Sequence, residues 1–70
     1  MKKIGVIGLG NMGSAVARNI QRANFPLYVH DIRKDVGKKL IEKGAIWKNS
    51  PKELMDDVDI VVSMVFDQKK

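Results

Sequence analysis

At the start of the chain, the spacing of apolar positions changes once, at a group of glycines. The run Ile4–Ile7 is short and apolar, which is typical of a strand buried on both faces. After the glycines, apolar residues recur every three or four positions from Met12 to Ala23, with polar residues such as Gln21 on the other side. The pattern predicts a strand, a glycine turn and an amphipathic helix that ends before Asn24.

The remaining sequence repeats this alternation of strand and helix. Ser50-Pro51-Lys52-Glu53 has the residues of a capping box, in which the Ser50 hydroxyl accepts from the Glu53 amide and Pro51 occupies the first helical position. The patterns predict strands over 27–30, 45–47 and 60–66, and helices over 35–43 and 51–57.

The order of elements is βαβαβαβ, which predicts an α/β fold, the first half of a Rossmann doubly wound parallel sheet. The run 60–66 is the most apolar and is interpreted as a central strand, yet only four residues follow it. We therefore expect residues 1–70 to form a partial Rossmann domain, with the catalytic and substrate-binding domain absent. The exposed C-terminal strand is expected to associate with a second half or with another copy of the chain.

Composition excludes several classes of protein. Apolar residues make up 44% and charged residues 30% of the chain, as in globular proteins. No apolar run approaches a membrane span, there is no export signal, and the lack of cysteine excludes disulfides and agrees with a cytoplasmic location. The net charge is +5, but the basic residues are scattered with few aromatics between them, which argues against a nucleic-acid partner.

The glycines have the pattern G-x-G-x-x-G between a predicted strand and a predicted helix, which is the context of a dinucleotide-binding turn. In that reading Gly8 permits the tight turn, Gly10 lets the backbone approach a pyrophosphate, and Gly13 permits close packing of helix on sheet. The free N–H groups near Asn11 and Met12 then meet the anion at the positive end of the helix dipole.

Asp31 follows the second strand, 18 residues after Gly13, close to the spacing at which a carboxylate binds the adenosine ribose. A carboxylate there repels a 2′-phosphate and therefore favours NAD over NADP, although Arg33 is able to pair with a phosphate. The predicted cofactor is NAD, with NADP possible.

Other polar and aromatic residues are interpreted as structural. His30 stands alone beside a strand end, and Trp47 and Met64 fit packing positions better than cofactor contacts. Asp56, Asp57 and Asp59 surround a short helix end without a neighbouring histidine, so no metal site is predicted.

Three segments together resemble the amino-terminal domain of the β-hydroxyacid dehydrogenases, and the resemblance runs through nearly the whole chain. They are GLGNMGSAVARNI, GAIWKNSPKEL and DVDIVVSMV, in the family's order. The resemblance implies NAD(P) binding by the loop Gly8, Leu9, Gly10, Asn11, Met12 and Gly13, cofactor choice by Asp31, Ile32 and Arg33, and a segment Met64, Val65 and Phe66 along the cofactor.

Two departures from the family pattern concern that site. NADP-preferring members carry Asn-Arg-Thr where this chain has Asp31-Ile32-Arg33, which again favours NAD, and Met-Leu-Pro is usual where this chain has Met64-Val65-Phe66. The family's catalytic lysine and glycine-rich substrate motif lie beyond Lys70. No catalytic residue is therefore assigned, and the chain is expected to be inactive alone.

Two alternatives stay open. Pyrroline-5-carboxylate reductases and related imine reductases begin with a similar glycine motif, although Ser50-Pro51 and Ser63-Met64 argue against them. A stand-alone nucleotide-binding or interaction module without catalysis is the second alternative, in which the edge of strand 60–66 pairs with another chain.

Overall fold

A computed structural model describes residues 1–64 and shows four parallel strands in one sheet, with helices between them. The strands are β1 Ile4–Ile7, β2 Leu27–His30, β3 Ile46–Trp47 and β4 Ile60–Ser63; the helices are α1 Asn11–Arg22, α2 Lys38–Glu42 and α3 Pro51–Asp57. The strand order is β3-β2-β1-β4. This arrangement confirms the predicted Rossmann-type α/β fold.

The register of the sheet brings the ends of β1 and β2 side by side. Ile7 lies opposite His30 in β2 and opposite Ser63 in β4. Because all strands are parallel, the loops that follow them emerge at the same edge. Residues that directly follow β1, β2 and β4 are therefore neighbours in space although they are far apart in the sequence.

Helices cover both faces of the sheet. On one face, Val6 and Val29 are fully buried in a core that includes Ala17 of α1 and Leu40 of α2. On the other face, Leu54 of α3 is fully buried and packs directly over Gly5. The sheet thus forms the middle layer of three, as the α/β pattern requires.

The predicted start of α3 is confirmed. The Ser50 hydroxyl accepts a hydrogen bond from the Glu53 N–H at 3.1 Å, and Pro51 occupies the first helical turn. The Glu53 carboxylate reaches back to the N–H of Asn49 at 3.3 Å, one residue before the cap itself. The Ser50 bond satisfies a donor that the helix leaves unpaired at its N-terminus, and the Glu53 bond fixes the chain just before the cap.

Several predicted boundaries were wrong. The predicted helix 35–43 begins as a 3₁₀ helix at Lys34–Gly37 and is α-helical only over Lys38–Glu42, and the third strand has two residues. β4 ends at Ser63, so Met64 lies after the strand, while Val65 and Phe66 are outside the described residues. Short apolar runs show that a strand is present but do not determine its last residue.

The predicted inner face of α1 is confirmed in part. Val16 and Ile20 pack against the core as predicted, whereas Met12 is 69% exposed. Gln21, predicted on the outer side, donates a hydrogen bond from Nε2 to the Leu40 carbonyl at 2.9 Å. The helix periodicity therefore identified the middle of the buried face but was wrong at Met12 and Gln21.

β4 forms an edge of the sheet in residues 1–64, although its sequence predicted a central position. It pairs with β1 on one side only. Ile60 and Val61 are 44% and 38% exposed, which is unusual for a strand of this composition. No helix in the described part of the chain is long and apolar enough to cross a membrane.

Candidate functional site

The loop between β1 and α1 turns sharply and is anchored from several sides. Gly8 has a φ of 93°, a conformation that favours glycine, and its N–H donates to the His30 carbonyl at 2.9 Å. The Leu9 side chain is buried in the core, while the Leu9 carbonyl accepts from the Ser14 hydroxyl at 2.8 Å. The loop is therefore a fixed part of the fold.

Gly13 is required by packing between α1 and this loop. A Cβ at Gly13 would lie 1.8 Å from the carbonyl oxygen of Gly8, a distance that no side chain tolerates. The third glycine of the motif thus brings the first turn of α1 against the end of β1, as predicted.

Gly10 has no such structural requirement. Its φ of −70° and ψ of −161° are accessible to any residue, and an added Cβ would meet no atom of residues 1–64 within 4 Å. The packing of the described residues therefore does not explain a glycine at this position. The open space above Gly10 is what a ligand that contacts the backbone would need.

The N-terminus of α1 is uncapped. Gly10 provides no side-chain cap, and the first turn contains no acidic residue. Within residues 1–64, the N–H groups of Asn11 and Met12 have no acceptor, and both residues are exposed. By contrast, α3 is capped by Ser50. Unpaired N–H groups and the positive end of the helix dipole make the start of α1 suitable for an anion.

Asp31 lies at the end of β2 and faces the glycine loop. It is 8% exposed, and its Oδ2 accepts from the Leu9 N–H at 2.6 Å. Its Oδ1 accepts from the N–H of Arg33 at 2.8 Å and lies 3.3 Å from the Arg33 Nε. Burial by itself would raise the pKa of Asp31, but the hydrogen bonds from Leu9 and Arg33 and the Arg33 charge outweigh it and lower the pKa below 3.8.

The remaining predicted site residues lie near the same edge. Ile32 is 93% exposed and the Arg33 side chain is 59% exposed. The Met64 N–H donates to the Ile7 carbonyl at 2.8 Å, and the Met64 Cβ lies 3.5 Å from the position that a Cβ on Gly13 would take. The structure thus brings together the glycine loop, residues 31–33 and Met64, whereas Val65 and Phe66 lie outside the described residues.

The other polar residues considered in the sequence have partners within the fold. His30 is buried, with Nδ1 2.9 Å from the Lys48 carbonyl, and its ring lies 5.9 Å from that of Trp47. The three aspartates near β4 point to different groups: Asp56 pairs with Lys52, Asp57 with Lys48, and Asp59 accepts from the N–H of Lys3. Residues 1–64 contain no cluster of three side chains able to hold a metal.

Two contacts at the site were not predicted from the sequence. They are the Ser14 bond to the Leu9 carbonyl and the bond between the Asp31 carboxylate and the Leu9 N–H. A hydroxyl residue directly after the third glycine was a visible signal for the first. The second joins residues 22 positions apart, and no local pattern indicates it.

Comparison with known proteins assigns the family. Residues 3–70 match the family described as the NAD binding domain of 6-phosphogluconate dehydrogenase. The chain belongs to this family. The match covers every element of the fold described above, including the glycine loop and the strand that precedes Asp31.

Curated relatives of this chain include 3-hydroxyisobutyrate dehydrogenases. The probable mitochondrial enzyme of Dictyostelium discoideum is 44% identical over 64 residues, which cover 91% of this chain and 20% of that protein. The mitochondrial enzyme of Mus musculus is 37% identical over 62 residues, which cover 89% of this chain and 18% of that protein. The chain thus spans about a fifth of the length of these relatives.

Solved structures with the same fold include both hydroxyacid dehydrogenases and imine reductases. An imine reductase from Myxococcus stipitatus in complex with NAD+ superposes with a TM-score of 0.91 at 27% identity, over 96% of this chain and 23% of that one. The 3-hydroxyisobutyrate dehydrogenase of Mycobacterium tuberculosis gives 0.84 at 26% identity, over 93% and 22%. The chain is thus an NAD-binding domain of the type found in hydroxyacid dehydrogenases and imine reductases.

Proposed function

We propose that this chain holds NAD at the carboxyl edge of its sheet, with the loop Gly8–Gly13 against the pyrophosphate and Asp31 at the adenosine ribose. The observation that carries this proposal is the glycine at position 10, which the packing of residues 1–64 does not require and which lies beside the uncapped start of α1. Leu9 supports the loop from the core, and Asn11 and Met12 offer N–H groups to the phosphates.

Cofactor choice depends on residues 31–33. The Asp31 carboxylate disfavours a 2′-phosphate through like-charge repulsion, so NAD is preferred over NADP. Arg33 reduces this preference because its guanidinium is exposed and lies beside the carboxylate. Ile32 offers an exposed apolar surface next to the same carboxylate. The family resemblance extends the proposed cofactor contact to Met64, and to Val65 and Phe66 outside the described residues.

The longer protein is proposed to be a hydroxyacid dehydrogenase in which residues 1–70 form the first part of a Rossmann domain. The bound nicotinamide would carry the hydride, while this chain would bind and orient the cofactor. No side chain in residues 1–70 is assigned a catalytic role, and the chain alone is proposed to be inactive. A cytoplasmic location is proposed because the sequence contains no cysteine.

An imine reductase is the second candidate. The TM-score of 0.91 to the Myxococcus stipitatus enzyme favours it, whereas the Dictyostelium discoideum and Mus musculus relatives, at 44% and 37% identity, are a probable and a named 3-hydroxyisobutyrate dehydrogenase. The cofactor site is compatible with both activities. The coding sequence after Lys70 separates them, because a glycine-rich substrate motif and a helix with the catalytic lysine would indicate the hydroxyacid dehydrogenase.

The open edge of β4 is proposed to pair with a further strand, from a longer polypeptide or from a second copy. The exposure of Ile60 and Val61 supports this pairing. Sedimentation velocity at several concentrations tests self-association: a sedimentation coefficient that rises with concentration, and that Val61→Lys holds constant, would support pairing between copies. A constant value for the unchanged chain would exclude pairing between copies.

Titration with NAD and NADP, followed by NMR of the ¹⁵N-labelled chain, tests the cofactor site. We expect the amides of residues 8–13 and 31–33 to shift with saturation at lower concentrations of NAD than of NADP. Amides near Lys43 and Gly44, at the opposite edge of the sheet, serve as the internal control and should not move. Shifts confined to that opposite edge, or no shift with either dinucleotide, would overturn the proposed site.

A further inference from the structure

We infer that Asp31 has a second role at the site: it is a positioning residue that holds the glycine loop in the shape that binds pyrophosphate. The inference rests on the proposed function, because it concerns the same dinucleotide site. It predicts that one carboxylate serves both ribose recognition and phosphate binding, so that a substitution of Asp31 weakens the binding of the ribose and of the pyrophosphate.

The first step is the bond between Asp31 and the loop. The Leu9 N–H is buried, and within residues 1–64 the Asp31 Oδ2 at 2.6 Å is its only acceptor. Backbone N–H groups that are buried need a partner, and removal of this carboxylate would leave the Leu9 N–H unpaired. A bond to a charged acceptor is also among the stronger hydrogen bonds in proteins.

The second step concerns the orientation of the peptide groups around Leu9. Asp31 holds the N–H on one side of Leu9, and the Ser14 hydroxyl holds the carbonyl on the other at 2.8 Å. Together these bonds set the planes of the two peptide groups that lead to Gly10. The directions of the N–H groups that follow, at Gly10 and Asn11, depend on those planes.

A positioning role and a role limited to the ribose predict opposite effects of removing the Asp31 carboxylate on the binding of a ligand that has no ribose. A carboxylate beside an anion site repels the anion, so its removal would strengthen binding of inorganic pyrophosphate or leave it unchanged if Asp31 served the ribose alone. If Asp31 also positions the loop, its removal weakens pyrophosphate binding despite the lost repulsion.

The experiment measures binding of inorganic pyrophosphate and of NAD to the ¹⁵N-labelled chain and to Asp31→Ala by NMR. Asp35→Ala is the matched control, because Asp35 is an exposed acidic residue of the 3₁₀ helix that follows the site. We expect Asp31→Ala to weaken binding of both ligands by about tenfold, the scale of a lost hydrogen bond to a charged group. Asp35→Ala should change neither by more than about twofold.

The rates of amide exchange with solvent show whether Asp31→Ala disturbs only the glycine loop or unfolds the whole chain. In Asp31→Ala, the Leu9 amide should exchange faster with solvent while the Val6 amide in β1 stays protected. If Asp31→Ala does not fold, Asp31→Asn serves instead, since its side-chain oxygen is able to accept from the Leu9 N–H. That variant should keep the Leu9 amide protected and pyrophosphate affinity within about twofold, with weaker NAD binding.

Each outcome decides between the proposals. If Asp31→Ala binds pyrophosphate as tightly as the unchanged chain, or more tightly, and loses only NAD affinity, the positioning role is wrong and the proposed cofactor site stands. An Asp31→Asn variant that loses Leu9 protection but binds pyrophosphate normally leads to the same conclusion. If the unchanged chain binds neither ligand, the proposed function fails and the positioning role fails with it.

Discussion

Two glycines of the loop, Gly13 and Gly10, differ in what the fold requires at their positions. At Gly13 a Cβ would lie 1.8 Å from the Gly8 carbonyl oxygen, so the contact between α1 and β1 requires glycine. At Gly10 a Cβ would meet no atom of residues 1–64 within 4 Å, and the backbone dihedrals suit any residue. The packing of the described residues thus explains Gly13 and leaves Gly10 to the proposed ligand.

This difference shows that a single motif combines two separate requirements. Gly13 is required by the packing of α1 on β1, whereas Gly10 is proposed to serve the dinucleotide. Asp31 also acts on the loop, since its carboxylate accepts from the N–H of Leu9, between Gly8 and Gly10. Changes at Gly13, Gly10, Gly44, Asp31 and Arg33 separate these requirements, with the largest effect expected at Gly13 and the smallest at Arg33.

Gly13→Ala should have the largest effect. The added methyl group would clash with a backbone carbonyl, which has little freedom to move away, and we expect the free energy of unfolding to fall by about 3 kcal/mol or more. Urea unfolding followed by circular dichroism measures the change. A stability within about 1 kcal/mol of the unchanged chain would show that α1 is able to shift, and the contrast with Gly10 would then be lost.

Gly10→Ala should affect binding and leave the fold nearly intact. We expect NAD affinity to fall by at least about tenfold, because the methyl group occupies the space above the loop, while stability changes by less than about 1 kcal/mol. Isothermal titration calorimetry and urea unfolding measure the two quantities.

Gly44→Ala is the control for Gly10→Ala, because the opposite pattern is expected for it. Gly44 has a φ of 111° in open space at the opposite edge of the sheet, so the substitution strains the backbone without reaching the loop. It should lower stability by about 1 kcal/mol and leave NAD affinity unchanged. Equal NAD affinities for Gly10→Ala and the unchanged chain would contradict the assigned role of Gly10.

Acid should weaken the fold partly through Asp31. Its pKa is lowered in the folded state, so its contribution to stability is present above the unfolded pKa of about 3.9 and is lost as the pH falls through the folded value. Between pH 6 and pH 3, the unchanged chain should lose about 1 kcal/mol more stability than Asp31→Asn.

The difference in stability between the unchanged chain and Asp31→Asn at each pH removes the contribution of the other acidic residues. Lys48 donates a hydrogen bond to Asp57 and lowers the pKa of Asp57, and this pair is present in both chains. Urea unfolding at each pH measures the difference. Parallel pH profiles for the two chains would show that the bonds from Leu9 and Arg33 do not stabilise the Asp31 carboxylate.

Arg33→Ala should have the smallest effect and changes cofactor choice alone. Arg33 is exposed and lies 3.3 Å from Asp31, so its removal leaves the carboxylate less neutralised. We expect the ratio of the NADP to the NAD dissociation constant to rise by about threefold, with stability within about 0.5 kcal/mol. An unchanged ratio, measured by calorimetry, would exclude Arg33 from phosphate recognition.

Some features follow from the sequence because they depend on neighbours in the chain. The bounds of β1 and β2, the Ser50 cap of α3 and the glycine turn were all predicted correctly. Strand alternation, helix periodicity and capping are local, since each needs only residues within about four positions of one another. The family resemblance follows from the same local segments, read in order.

Other features were decided only by tertiary packing. The motif predicted different roles for Gly10 and Gly13, but only the approach of α1 to β1 shows how close the backbone at Gly13 comes to the Gly8 carbonyl. Met12 is exposed although the helix periodicity predicted it on the inner face, and the strand order places apolar β4 at an edge of the described sheet. The Asp31 bond to Leu9 spans 22 residues. Distances between remote segments depend on how whole elements pack, which no local pattern contains.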